Sequence, residues 1–368
     1  MIASLNSATT SMLGKNKLAA LVAVLVLSST ALPLALADSP GSAGVCAAST
    51  NSVAGTTLVQ TSMADALDLE KLQSAPKPAR PKIGLALGGG GSRGAAEVGV
   101  LEVLEKEGIK YDYIAGTSIG AIVGGLYDAG VPLSELKEVC LSGHMIRNFM
   151  TDSLPVRLVL EPIFFLPRIF GAKPYDGLYK GTTFRKYLEK TLPANAKKIE
   201  ELQIPFAAVS LNVLDGYPYM IRSGDLGYAM QASSAIPALR KPVEIGDGLF
   251  VDAGLICNLP VKQCREMGAD IVIAVNIDGS FKVEPVDAFR KPGSITDRMI
   301  DWSMWEIDRR QGKLADIEIC PDVAGIDLIS TSKSDAKRAL EAGREAARQA
   351  LPQIKEKLKS LGVLSADQ

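Results

Sequence analysis

Ser118 stands in the run Gly116-Thr117-Ser118-Ile119-Gly120, between an apolar stretch at 111–115 and a helical pattern at 121–129. This is the setting of a nucleophile elbow, a serine on a tight strand-to-helix turn whose hydroxyl is pushed out of the sheet. Residues beside such a turn must be small, because side chains there would collide with the strand and the helix. Gly116, Gly120, Gly124 and Gly125 meet that demand. The helix that follows points its positive end at the same place. The competing reading is a plain glycine turn in an ordinary strand–helix unit.

A serine nucleophile needs a base. The chain holds one histidine, His144. In an α/β-hydrolase the order is serine, acid, then histidine near the end, and no histidine follows residue 144. His144 therefore reads as a surface or helix-end residue, and the base falls to a carboxylate or a lysine. Asp252 is the best placed carboxylate. It closes the apolar run Leu249-Phe250-Val251 and is followed by the small residues Ala253 and Gly254. Sites in parallel sheets gather at the carboxyl ends of strands, and Ser118 and Asp252 both occupy such ends. The alternative for Asp252 is an Asx-turn aspartate at a strand end.

A glycine loop, Gly88-Gly89-Gly90-Gly91-Ser92-Arg93-Gly94, joins another apolar run to another helix start. Successive amides near a helix N-terminus form an anion cradle. The cradle could hold a phosphate or the oxyanion of a tetrahedral intermediate. A Walker loop is excluded, since no Gly-Lys-Ser/Thr follows. A dinucleotide reading needs an acid about 20 residues on, and Asp112 meets that only loosely. The serine elbow in the next unit favours the oxyanion, where each donor is worth about 3 kcal/mol. Arg93 either adds charge to that hole or pins the loop to a carboxylate.

The elements that position these groups follow from periodicity. Short apolar runs at 83–87, 111–115, 206–213, 249–251 and 271–277 read as strands, and 95–107, 121–129, 182–192, 260–267 and 294–311 as helices. Ser294 and Asp297 resemble a capping box, and a helical pattern over 334–361 contains Pro352, which should kink or split it. Strands alternating with helices imply an α/β fold, a mainly parallel sheet with helices on both faces. Of 368 residues, 47% are apolar and 22% charged, enough for a packed core. Forty basic against 41 acidic residues leave no nucleic-acid footprint. Five cysteines without a C-x-x-C pair, and a single histidine, argue against a disulfide framework or a metal cluster.

Lys15 and Lys17 precede an apolar run at 18–36 that ends in Ala35-Leu36-Ala37. Residues 1–37 are thus expected to be a signal peptide for export to the periplasm or the medium. The alternative is an uncleaved membrane anchor over 18–37. Cys46 lacks the small residue before it that lipidation would want. Residues 38–81 read as a flexible linker with one short helix at 63–72. The stretch 161–171 is the most apolar one outside the core, and could line an acyl channel, meet lipid, or pack as a helix.

Four ordered blocks now resemble the patatin-like phospholipase family, of the compact bacterial type: the loop Gly88 to Gly94, the elbow Gly116 to Gly120, Gln231-Ala-Ser-Ser-Ala-Ile-Pro237, and Asp252-Ala253-Gly254. Asn258-Leu-Pro260 and Gly268-Ala-Asp270 also sit where members carry them. The resemblance covers about residues 83 to 278. It implies a three-layer α/β/α sandwich and hydrolysis of fatty-acyl esters of phospholipids or lysophospholipids, with no metal or cofactor. It implies a Ser118–Asp252 dyad without histidine, and an oxyanion hole around Gly89, Gly90, Gly91, Arg93 and Gly94. The expected partner is lipid, with peripheral membrane contact, and not nucleic acid. Two departures stand out. Asp-Ala-Gly replaces the commoner Asp-Gly-Gly or Asp-Gly-Ala, and Glu97 stands where members often have histidine. The domain is expected over 82–278, with a helical extension over 279–368 packed on it. The alternative is a non-catalytic lipid-binding or signalling protein on the same scaffold.

Overall fold

The computed structural model describes residues 50–53, 56–60, 80–151, 173–278, 281, 283–290 and 293–363. The signal segment, Cys46, the helix expected at 63–72 and the apolar stretch 161–171 lie outside them.

The strands are β1 (Thr50–Val53), β2 (Thr56–Gln60), β3 (Ile83–Leu87), β4 (Tyr113–Thr117), β5 (Phe206–Asn212), β6 (Tyr217–Ile221), β7 (Val243–Ile245), β8 (Gly248–Asp252), β9 (Ile271–Val275) and β10 (Ile317–Ile319). The helices are α1 (Ala95–Lys106), α2 (Ile119–Asp128), α3 (Leu133–Leu141), α4 (His144–Phe149), α5 (Thr182–Thr191), α6 (Leu226–Ser233), α7 (Val261–Met267), α8 (Ser294–Gly312) and α9 (Lys333–Ser360). All ten strands join one sheet in the order β1-β2-β6-β5-β4-β3-β9-β10, with β8 on β5 and β7 on β8. From β5 through β4, β3 and β9 to β10 every pairing is parallel. The strands β6, β2, β1, β8 and β7 are added by antiparallel pairing.

Period-two alternation divides the central strands between two cores. Ile83, Leu85 and Leu87 of β3 and Ile271, Ile273 and Val275 of β9 face one core. Ala86, Ala115, Ala207, Val272 and Ala274 face the other, where α7 packs on this small-residue surface. Helices α1, α2, α6 and α9 cover the larger side. The result is the three-layer α/β/α sandwich, its central strands buried on both faces as a parallel sheet requires.

Several local expectations change. The antiparallel edge arises from segments read otherwise: β1 and β2 lie in the stretch taken as linker, and β2 pairs with β6. The segment 279–368 is not purely helical, since β10 enters the sheet beside β9. Helix α8 is preceded by Gly293 in the left-handed region, and no side chain caps it, so Ser294 is the first helical residue rather than the cap. Pro352 does not split α9, which runs unbroken through it. Buried Ala347, Ile354 and Leu358 lie on both sides of the proline, and their packing outweighs the lost hydrogen bond.

Helix α9 crosses α1 at very short range. A Cβ on Gly343 would overlap the Ala96 carbonyl, and one on Gly99 would overlap the Leu340 carbonyl. Backbone meets backbone there, so no side chain can move aside. Gly343→Val is therefore expected to lower unfolding free energy by about 1–3 kcal/mol or more, read from urea denaturation; an unchanged midpoint would refute the close crossing.

Candidate active site

Ser118 adopts φ 55° and ψ −119°, one of two non-glycine residues with positive φ among those described. A non-glycine residue there carries strain of order 1–3 kcal/mol, so the surroundings must impose it. Its N–H donates to Ser233 Oγ at 2.9 Å, and Ser233 Oγ donates to the Val209 carbonyl at 2.6 Å. Thr117 Oγ1 donates to the Cys257 carbonyl at 3.0 Å. A Cβ on Gly116 would strike the backbone of Gly120, and one on Gly120 the Leu87 carbonyl. These two glycines thus let β4, α2 and β3 meet at the bend, as the sequence pattern required.

Asp252 reaches the bend by a route that differs from the one expected. Strand β4 lies along one edge of β5 and stops at Thr117, opposite Val209. Strand β6 holds the other edge. Past Val209 the first edge is taken by β8, which runs the opposite way and ends at Asp252, opposite Ser210. The two strands therefore abut head to head on neighbouring residues of β5. Asp252 closes an antiparallel strand, not a parallel one, and its carboxyl end still meets that of β4.

The Ser118 hydroxyl lies close enough to the Asp252 carboxyl to favour its ionised form. Gly254 N–H donates to Asp252 Oδ1 at 2.8 Å, and Asp252 N–H donates to the Ala235 carbonyl at 3.0 Å. Both side chains are shielded: Ser118 and Asp252 are each 8% exposed. Burial pushes the Asp252 carboxyl up to about 6, although Ser118 and the bond from Gly254 pull it down. His144 sits exposed at the start of α4.

The glycine loop offers fewer free amides than its composition suggests. Gly88 N–H donates to the Val275 carbonyl at 3.1 Å and Gly89 N–H to the Asn258 carbonyl at 3.2 Å. Ser92 N–H donates to the Leu328 carbonyl at 2.9 Å and Arg93 N–H to the Gly90 carbonyl at 3.1 Å. Among the described residues the N–H groups of Gly90 and Gly91 find no partner. The expectation that Gly89 offers its amide is thus corrected, because that N–H is already engaged. Gly94 instead gives room for Ile119, which a Cβ would overlap. The Arg93 guanidinium turns to Asp278 Oδ1 at 3.1 Å and the Ile326 carbonyl at 2.9 Å. Of the two roles open to Arg93, pinning the loop to a carboxylate is the one the contacts fit.

Three groups went unassigned in the sequence reading. Ser233 braces the bend from the end of α6. Asn258 Nδ2 donates to Asp308 Oδ2 at 2.7 Å and to the Gly89 carbonyl at 3.3 Å, so one side chain ties α8 to the glycine loop. Asp308 is fully buried, and burial holds its carboxyl well above the ordinary range despite the Asn258 bond. Nothing in its sequence surroundings separates Asp308 from a surface acid of an amphipathic helix. Beside Ser118 lies an apolar cavity of about 30 Å³, walled by Gly91, Ile122, Phe149, Phe184 and Leu328. Among the described residues no cluster of histidine, cysteine or acidic side chains is arranged to hold a metal.

Residues 85–265 match the family model for patatin-like phospholipase. The chain belongs to the patatin-like phospholipase family. An uncharacterised NTE family protein of Mycobacterium tuberculosis is 34% identical over 205 residues, 54% of this chain and 50% of that one. Patatin-like phospholipase domain-containing protein 6 of Homo sapiens is 30% identical over 246 residues, 66% of this chain and 16% of that one. Lysophospholipase NTE1 of Debaryomyces hansenii is 33% identical over 195 residues, 53% of this chain and 12% of that one. The match thus spans half of the mycobacterial relative and a smaller part of the other two. The patatin-like segment holds the glycine loop, the elbow, Asp252 and Asn258, whereas α8, with Asp308, lies beyond it.

The raised Asp252 carboxyl makes a stability prediction. Between the ordinary carboxylate range and about 6, the folded chain keeps a proton that the unfolded chain has lost. Stability therefore falls as pH rises through that window. Asp252→Asn is expected to be more stable than the parent at pH 8, by on the order of 1–3 kcal/mol. The gain should vanish at pH 4. Paired thermal melts check this, and equal melting temperatures at pH 8 would count against the buried, ionising carboxyl.

Proposed function

We propose that this chain is a serine acyl hydrolase that cleaves fatty-acyl esters of lipids, of the phospholipase A or lysophospholipase type, through a Ser118–Asp252 dyad. The meeting of the strained serine with the buried, weakly acidic carboxyl at the abutting ends of β4 and β8 carries the reading. A carboxyl shifted toward neutrality is a competent base at the pH where it works. In the proposed cycle Ser118 Oγ attacks the ester carbon and its proton passes to Asp252. The amides of Gly90 and Gly91 stabilise the resulting oxyanion. Asp252 returns the proton to the leaving alcohol, and an acyl-serine remains. Water then gives a proton to Asp252 as its oxygen attacks the acyl carbon, and Asp252 returns that proton to Ser118 Oγ as the fatty acid leaves. The lining beside Ser118 is apolar, the chemistry an acyl chain would meet there.

The match to the patatin-like family supports lipid as the substrate class. Such a substrate lives in aggregates, so peripheral membrane contact belongs to the proposal. So does export or anchoring by the apolar run at 18–37, since the spacing of Lys15, Lys17 and Ala35-Leu36-Ala37 supports a targeting segment.

Ser118→Ala and Asp252→Asn are each expected to lower kcat/KM on a soluble fatty-acyl ester by about 10³-fold or more, with the fold intact by circular dichroism. His144→Ala should stay within about twofold of the parent; a hundredfold loss would bring the histidine back. The acid limb of kcat/KM should follow ionisation of Asp252, rising with pH through about 6. A limb that leaves this region unchanged would remove Asp252 as base. Mass spectrometry of products from a mixed phospholipid extract would assign head group and position.

A further inference from the structure

Helix α8 connects β9 to the parallel strand β10, so it begins at the sheet end that carries Ser118 and runs back along the sheet. Asp308 fixes its height. Asp308 bonds to Asn258, and Asn258 bonds to the Gly89 carbonyl beside Ser118, so this turn of α8 is level with the active centre. With a rise of 1.5 Å per residue, Trp302, Met299 and Ile295 lie roughly 9, 14 and 20 Å farther toward the helix start. The first turns of α8 thus project past the sheet at the end that carries Ser118.

The projecting turns have an unusual outward face. Ile295, Met299 and Trp302 follow i, i+4, i+7 spacing and are 66%, 55% and 45% exposed. A surface helix ordinarily turns such a stripe inward. Here, among the described residues, the buried positions are Ser294, Met304, Asp308 and Gly312. Val283 and Val286, in the approach to α8, are exposed as well. That approach is packed on the helix: Phe281 stacks with Trp305 at 5.6 Å, and the Arg298 guanidinium lies 3.4 Å from the Phe281 ring centre.

We propose that the projecting end of α8 inserts into the surface of an uncharged, zwitterionic lipid aggregate and seats the Ser118 site on it. Two observations choose this occupant. The stripe is about 10 Å long at helical rise and offers far less than the roughly 800 Å² per partner that a stable protein interface buries. Insertion into a lipid boundary asks only a few apolar side chains. The charge beside the stripe is also balanced, Arg290 paired with Asp287 and Asp301 within electrostatic reach of Arg298. It therefore offers little field to draw anionic head groups. The proposal rests on the lipid-hydrolase reading for its purpose, but its test does not depend on turnover.

Trp302 and Trp305 are the chain's two tryptophans, and both are on α8. The full chain carrying Ser118→Ala and Trp305→Phe is titrated with phosphatidylcholine vesicles, with and without brominated acyl chains. Trp302 emission should shift to the blue and be quenched by the bromine. Adding Ile295→Glu or Met299→Glu should raise the lipid concentration for half-response at least tenfold. The same two substitutions in the otherwise native chain should leave kcat/KM on a soluble short-chain ester within about twofold. An unshifted, unquenched Trp302, or glutamate variants that respond like their parent, overturns the proposal. So does a response seen only with anionic vesicles and lost in salt. Self-association without lipid that Met299→Glu abolishes overturns it in favour of a second copy. If the native chain hydrolyses no ester while Trp302 is still quenched, the hydrolase reading falls and the lipid surface stands.

Discussion

The structure turns on a junction between two strand ends. β4 and β8 share one edge of β5 and stop on adjacent residues, Val209 and Ser210. Because they run toward each other, the residue that leaves β4 and the residue that ends β8 must meet. Ser118 is forced there into a backbone conformation that an isolated serine would avoid. The encounter of Ser118 with Asp252 is thus a product of topology, and side-chain packing only refines it.

That junction is buried, and burial carries an energetic penalty that is also its chemistry. A carboxylate without water around it is destabilised, so the Asp252 carboxyl titrates near 6 instead of in the usual carboxylate range. The same shift lowers stability above that pH and gives the group its affinity for the serine proton. The surrounding bonds, donated to Ser233 Oγ and the Ala235 carbonyl and received from Gly254 N–H, fix the geometry, so the strain is held by the fold rather than relaxed away.

The C-terminal part of the chain is built into this arrangement. Segment 326–328 accepts hydrogen bonds from Ser92 and Arg93 of the glycine loop, and α8 reaches the same loop through Asp308 and Asn258. Leu328 also walls the apolar cavity beside Ser118. The loop geometry is therefore held by residues more than 200 positions away in sequence. This is why amide accounting, and not glycine count, decides which N–H groups are free.

The sequence by itself determined what is local. The elbow was legible because Gly116 and Gly120 are dictated by contacts within one strand–turn–helix unit. The alternation of strand and helix gave the layered fold, and the single histidine removed a triad ending in histidine. Tertiary structure decided what depends on distant partners. β8 proved antiparallel because strand direction is set by pairing with β5, not by its own residues. Gly89 and Arg93 were diverted by Asn258, Asp278 and Ile326, which no spacing within the loop could reveal. The edge strands β1 and β2 formed in a stretch of weak pattern because β6 supplied a template for their backbone bonds. Asp308 reads as an ordinary helix acid until the fold buries it against Asn258, since burial belongs to the assembled molecule and not to the residue.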